Sequence, residues 1–297
     1  MPQSPVVVGV DGSEASMRAV EWAAREARLR ELPLRLVHAS FWERYEGAAA
    51  ESGVRSSESL AQERLLDDAA EQAARWTPGL EVTSCVAPDD PVAALVTEAH
   101  RATMLVVGHR GRGDLASVLL GSVSMGVAAR ARCPVVVVRG EGGGGAEAAG
   151  TWAVPRGRVV VGIGEKSPCD APVGFAYAEA ALRHGEVVAV HAWRCAGSDL
   201  PEESGPHNSR RAEHARRAAE ILDDALCSAT CAHPDVPLVS RPAEGSPRET
   251  LLALSATADL LVIGAGRRRH AHGLPLGPVS HAVLHHARCP VAVVPHA

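Results

Sequence analysis

Short, unbroken apolar runs alternate along this chain with longer stretches in which apolar residues return every three or four positions. The run Val6-Val7-Val8-Gly9-Val10 has no polar face, which marks a strand buried on both sides. Residues 17–32 then carry a helical period, and Leu34-Arg35-Leu36-Val37-His38-Ala39 is a second strand. A long polar and apolar helix is predicted over 58–76, a strand over 80–86, a helix over 91–101 and a strand over 103–108. A helix over 122–130 and a strand over 133–139 complete the series. Pro91 suits a first helical turn, where its fixed φ is already helical and its missing N–H costs nothing. Five strands alternating with four helices predict a mostly parallel sheet with helices on both faces.

The whole pattern occurs twice. Ala131-Arg132-Cys133-Pro134-Val135 returns as Ala287-Arg288-Cys289-Pro290-Val291, and the offset from 131 to 287 is 156. Gly108 and Gly264 keep that offset, whereas Val6-Val7-Val8-Gly9 and Val159-Val160-Val161-Gly162 lie 153 apart. The copies therefore differ by loop length and not by element order. Between them Gly140-Glu141-Gly142-Gly143-Gly144-Gly145 cannot pack a core, and its composition is that of a flexible tether. The expected domains are 1–140 and 156–297, joined by a linker over 141–155. Each should be a doubly wound three-layer α/β/α sandwich of the Rossmann-like class, with a five-stranded sheet.

Composition narrows the possible roles. Hydrophobic residues make up 46% and charged residues 22% of 297, a globular balance, and no apolar run approaches a bilayer span. The net charge of -5 and the lack of a basic stripe with interleaved aromatics argue against nucleic acid as a partner; Arg267, Arg268 and Arg269 form a local exception. The N-terminus shows neither a secretory nor a transit pattern, so a cytoplasmic location is expected. Seven cysteines without CxxC spacing are read as buried small hydrophobes. His281 and His285 share a helix face and Cys227 and Cys231 do likewise, but no set of metal ligands is complete.

The chemistry gathers at the strand ends, where doubly wound sheets bind ligands. After the fourth strand come Gly108-His109-Arg110-Gly111, nine further residues, and then Gly121-Ser122-Val123-Ser124 opening a helix. Glycines admit close backbone approach to a phosphate, and free N–H groups at a helix start complete an anion cradle, to which the Ser122 and Ser124 hydroxyls can add. The first strand ends Gly9-Val10-Asp11-Gly12-Ser13. Asp11 there can accept from a ribose hydroxyl or an adenine amino group, or it can cap the next helix. Neither the G-x-G-x-x-G of a dinucleotide site after the first strand nor a P-loop G-x-x-x-x-G-K-[ST] is present.

With VVVGVDGS, LVHA, the Gly-two-Gly-nine-Gly-Ser loop and the closing RCPVVVV, the chain resembles the universal stress protein family in its tandem, ATP-binding form. The resemblance implies that Asp11 meets the adenosine end, with Gly9, Val10, Ala39 and Val107 beside the base. It implies too that Gly108, Arg110, Gly111, Gly121, Ser122, Val123 and Ser124 wrap ribose and phosphates. ATP is the implied ligand, with Mg2+ as an optional companion. Thr103 stands where the family usually has Asp. In the second copy Gly164 replaces the acid, Arg267 the second loop glycine and Pro278 the serine, so ATP binding there should be weak or absent.

The expected function is a nucleotide-responsive, non-catalytic stress protein, with a slow ATPase or a phosphate or nucleotidyl transferase as the alternative. The apolar runs 134–138 and 290–294 read as sheet edges, through which the two copies should pair and a homodimer could form.

Overall fold

The computed structural model describes residues 3–40, 57–111, 120–139, 157–165, 170–194, 205–266 and 276–296. The predicted glycine tether and the arginine run 267–269 lie outside them. The chain divides into two compact units, 1–142 and 143–297.

In the first unit the order is β1 (Val6–Gly9), α1 (Glu14–Leu29), β2 (Leu34–Ala39), α2 (Ser57–Trp76), β3 (Val82–Ala87), α3 (Pro91–Ala99), β4 (Met104–Gly108), α4 (Ser122–Arg130) and β5 (Val135–Val138). All strand pairings are parallel and the sheet order is β3-β2-β1-β4-β5. The second unit repeats the scheme with β6 (Arg158–Gly162), α5 (Asp170–Leu182), β7 (Glu186–Trp193), α6 (Gly205–Ala232), β8 (Leu238–Glu244), α7 (Pro247–Ser255), β9 (Leu260–Gly266), α8 (Pro278–His286) and β10 (Val291–His296). Its sheet order, β8-β7-β6-β9-β10, is again wholly parallel. The chain leaves β1 toward β2 and returns past it to β4, so the carboxyl ends of β1 and β4 flank the point where strand order reverses. β6 and β9 flank the same point in the second unit.

The predicted unbroken strands are buried on both faces: Val6, Val7, Val8, Met104, Leu105 and Val106 are fully enclosed, as are Val159, Val160 and Val161. Each such side chain contributes about 1.5–3 kcal/mol relative to exposure. Small residues on α1, among them Ala19, Ala23 and Ala27, let the helix lie close to the sheet. A Cβ at Gly108 would stand 2.6 Å from the Ala15 carbonyl carbon and oxygen, so the end of β4 touches the first turn of α1.

Helix α1 starts three residues before the predicted Met17, because Ser13 is its N-cap and accepts from the Ser16 N–H at 3.2 Å. It also stops at Leu29 and not at Leu32. Glu31 turns left-handed at φ 54, the Leu32 N–H donates to the Ala27 carbonyl, and the Glu31 N–H donates to Arg28. The second unit ends α5 identically with His184 at φ 49. A buried ion pair recurs beside these ends: Arg30 Nε lies 2.7 Å from Glu26 Oε1, and Arg183 pairs with the fully enclosed Glu179.

The cysteine expectation holds in part. Cys133 and Cys289 are buried, with burial pushing their thiols up to about 11 and about 12, whereas Cys227 and Cys231 are exposed on α6. The i, i+4 spacing of the latter pair marks one helix face, and that face looks to solvent.

Candidate functional site

At the carboxyl end of β1 the chain makes one further sheet-like bond, from the Val10 N–H to the Val37 carbonyl, and then turns into α1. The Val10 carbonyl accepts from His38 Nδ1 at 2.7 Å, which fixes that ring's tautomer and anchors the strand end. Asp11 does not cap α1 itself. Its Oδ1 accepts from the Ser13 N–H at 2.9 Å and the Ser13 hydroxyl at 2.6 Å, so it holds the capping residue in place. Its other oxygen faces the loop after β4, where a Cβ at Gly111 would stand 2.5 Å from Asp11 Oδ2. Only glycine leaves the carboxylate where it is.

The loop after β4 is stapled from below. The His109 N–H donates to the Val138 carbonyl, and the Gly121 N–H donates to the His109 carbonyl at 2.8 Å, which brings the start of α4 back to the end of β4. Gly121 is the N-cap of α4, and among the described residues no side chain caps its first turn. Ser122 is exposed there. Ser124 behaves otherwise than expected: it is buried, and its hydroxyl donates to the Gly108 carbonyl at 2.6 Å. That proton is committed to the loop, so Ser124 shapes the cradle and Ser122 is the hydroxyl on offer.

Gly9, Val10, Asp11, Gly108, Arg110, Gly111 and the start of α4 thus meet at the switch point, although the sequence separates them by some hundred positions. Val107 lies against Gly9, and Ala39 closes β2 one strand over. The intervening residues 112–119 lie outside the described ones. The charge beneath the loop is positive. Burial, then Arg139 and Arg110, push His109 down to about 4, so its imidazole is neutral near pH 7. Arg139 is lowered by burial and by Arg110. An anion above this cluster would relieve the mutual repulsion of its cations.

The second unit keeps the scaffold and changes the loop residues around it. His191 Nδ1 donates to the Ile163 carbonyl at 2.9 Å, repeating His38 on Val10. Gly164 offers no carboxylate. Gly277 again caps a helix without a side-chain bond, but Pro278 takes the first helical position and has no N–H. The His296 ring fills the space beside the loop: a Cβ at Gly264 would stand 3.0 Å from its Cδ2, and one at Gly266 would stand 3.1 Å from its Cε1. Asp259, at the position of Thr103, accepts from the Arg158 N–H at 2.8 Å. Thr103 reaches the same neighbourhood with opposite polarity, donating to the Ser4 carbonyl at 2.8 Å. Both side chains tie the start of the fourth strand to the entry of the first, far from the cleft.

Comparison with known sequences now decides the family. The model of the Universal stress protein family matches residues 4–139 and again 155–295. The chain belongs to the universal stress protein family. Universal stress protein Rv2005c of Mycobacterium tuberculosis is 33% identical, with 98% of this chain and 97% of that protein covered. Universal stress protein Rv2623 of the same organism is 32% identical, with 97% and 95% covered. Among solved structures, a universal stress protein from Archaeoglobus fulgidus superposes with a TM-score of 0.67 at 17% identity, covering 99% of this chain and all of that one. At that identity it speaks for the fold, and the tandem architecture agrees.

For this universal stress protein, residue-by-residue reading missed Ser13, Ser16 and His38. Signals were present for two of them: Asp followed two residues later by Ser is an Asx-turn pattern, and His recurs at 38 and 191 within a shared Val-His-Ala.

Proposed function

We propose that the first unit binds ATP and that nucleotide occupancy, not turnover, is its working signal. The observation that carries this reading is the convergence of two distant tracts: the Asp11 carboxylate packs on Gly111, beside an α4 N-terminus whose N–H groups have no side-chain cap. Asp11 Oδ2 suits a ribose hydroxyl or amino donor. The glycine backbone and the first turn of α4 suit the phosphates, and Arg110 and Arg139 supply a positive field. Among the described residues no three His, Cys, Asp or Glu side chains converge, so any Mg2+ would arrive with the triphosphate. The second unit, lacking the acid and one cradle N–H, binds ATP weakly or not at all. The alternative is a slow transfer reaction in which Arg110, Arg112 and His109 stabilise the transferred charge, and a phosphate-release assay separates that reading from simple binding.

Isothermal titration of the full chain tests the proposal. One ATP should bind per chain, and Asp11→Ala should weaken it by about 10- to 100-fold; unchanged affinity in Asp11→Ala and Gly111→Ala would overturn the reading. For partners, we propose adenine nucleotide and, through the edge strands β5 and β10, pairing between the two units and between chains. Scattering from independently moving halves would contradict the pairing.

A further inference from the structure

The second unit encloses a cavity of about 600 Å3 at the carboxyl ends of β6, β7 and β9. That is the size range of small-molecule sites, about 300–1,000 Å3. Its walls are apolar where Ile163, Val190, Ile221, Leu251 and Ile263 line it, and Trp193 forms an aromatic panel. The indole is held by stacking on His214, with ring centroids 6.0 Å apart and 12° between planes.

Polar groups share the lining. Val279 and Ser280 line the cavity as the second and third residues of α8, so their N–H groups have no intrahelical partner, and Gly277 gives no side-chain cap. His296, nine-tenths buried in the same wall, has an Nδ1 without a hydrogen-bond partner among the described residues. Arg217 is occupied by Glu165 at 3.0 Å, whereas Arg194, also in the lining, has no ion pair among the described residues.

A triphosphate does not suit this cleft. Pro278 removes an N–H, Gly164 removes the acid that would hold a ribose, and the His296 ring already covers Gly264 and Gly266. A carboxylate needs no glycine cradle, and two backbone amides and a guanidinium among the described lining residues suit it. We infer that the second cleft binds a small organic monocarboxylate with an apolar or aromatic body. The carboxylate sits at the α8 N-terminus, Arg194 in the same lining adds positive charge, and the body lies against Trp193 and the aliphatic wall. The cleft belongs wholly to the second unit, so its occupant is independent of the nucleotide proposed for the first.

The test uses full-length Asp11→Ala protein, in which the first cleft lacks its acid, titrated calorimetrically with indole-3-acetate, its neutral counterpart tryptophol, phenyl phosphate and ATP. Indole-3-acetate should bind one per chain and about tenfold tighter than tryptophol, since charge-assisted hydrogen bonds separate the two. Arg194→Gln, at an exposed position, should weaken the acid severalfold and leave tryptophol unchanged. Ile221→Trp, on the half-buried face of α6, should block both. Absent binding, equal affinity for acid and alcohol, tighter binding of phenyl phosphate or ATP, or indifference to both substitutions would each overturn the assignment.

Discussion

The two clefts share one scaffold and differ in what they present to a ligand. In both, the strand ends meet at the same switch point, a histidine Nδ1 anchors the end of the first strand, and a glycine without a side-chain cap opens the following helix. The first cleft then adds Asp11, Gly111 and Ser122. The second has Gly164 and Pro278, and the His296 ring lies over its glycines. The residues that build the scaffold are therefore not the ones that differ between the clefts. A unit can keep its sheet, caps and buried ion pairs while its chemistry changes at a few loop positions.

The largest effects should fall on the shared scaffold. Glu26→Ala and Glu179→Ala each leave a half-buried arginine without its buried carboxylate and should cost about 3 kcal/mol in denaturant unfolding, with neither unit spared. A loss confined to one unit would break the equivalence of the scaffolds. Next comes Asp11→Ala, which should weaken ATP by about 10- to 100-fold, the range of a hydrogen bond to a charged group. Gly111→Ala should act through the same carboxylate by pushing it off its position. The double variant should therefore be little worse than the stronger single one, a non-additivity that a calorimetric double-mutant cycle reads directly.

A smaller effect concerns pH. His109 is held down to about 4 in the folded chain, against an ordinary value near 6.5 when unfolded. Between these values the unfolded chain binds the extra proton, so the contribution is intact above about 6.5 and is lost as pH falls toward 4. His109→Gln should flatten that part of the stability profile. ATP, by bringing negative charge to the cluster, should raise the His109 titration midpoint seen by NMR. The second unit has no counterpart to compensate, since Ala265 occupies the equivalent position.

Much of this was legible in the sequence. The strands announced themselves because residues buried on both faces must be apolar without interruption, as Val6, Val7 and Val8 are. The repeat and the glycine spacing located the cleft and its divergence. Other features depend on partners far apart in sequence or on side-chain direction, which periodicity does not encode. Ser13 shifts the start of α1 by accepting from Ser16, and left-handed Glu31 ends the helix without a glycine. Ser124 turned its hydroxyl to Gly108, a choice invisible until β4 and α4 are side by side. His296 replaced Gly140 of the first copy, but its ring is meaningful only once β10 lies beside Gly264 and Gly266.

The most direct test of unequal clefts is the stoichiometry of ATP on the intact chain, measured by isothermal titration before and after Asp11→Ala. One site per chain, weakened about 10- to 100-fold by the substitution, is the predicted result. Two equivalent sites, or one site whose affinity Asp11→Ala leaves unchanged, would contradict it.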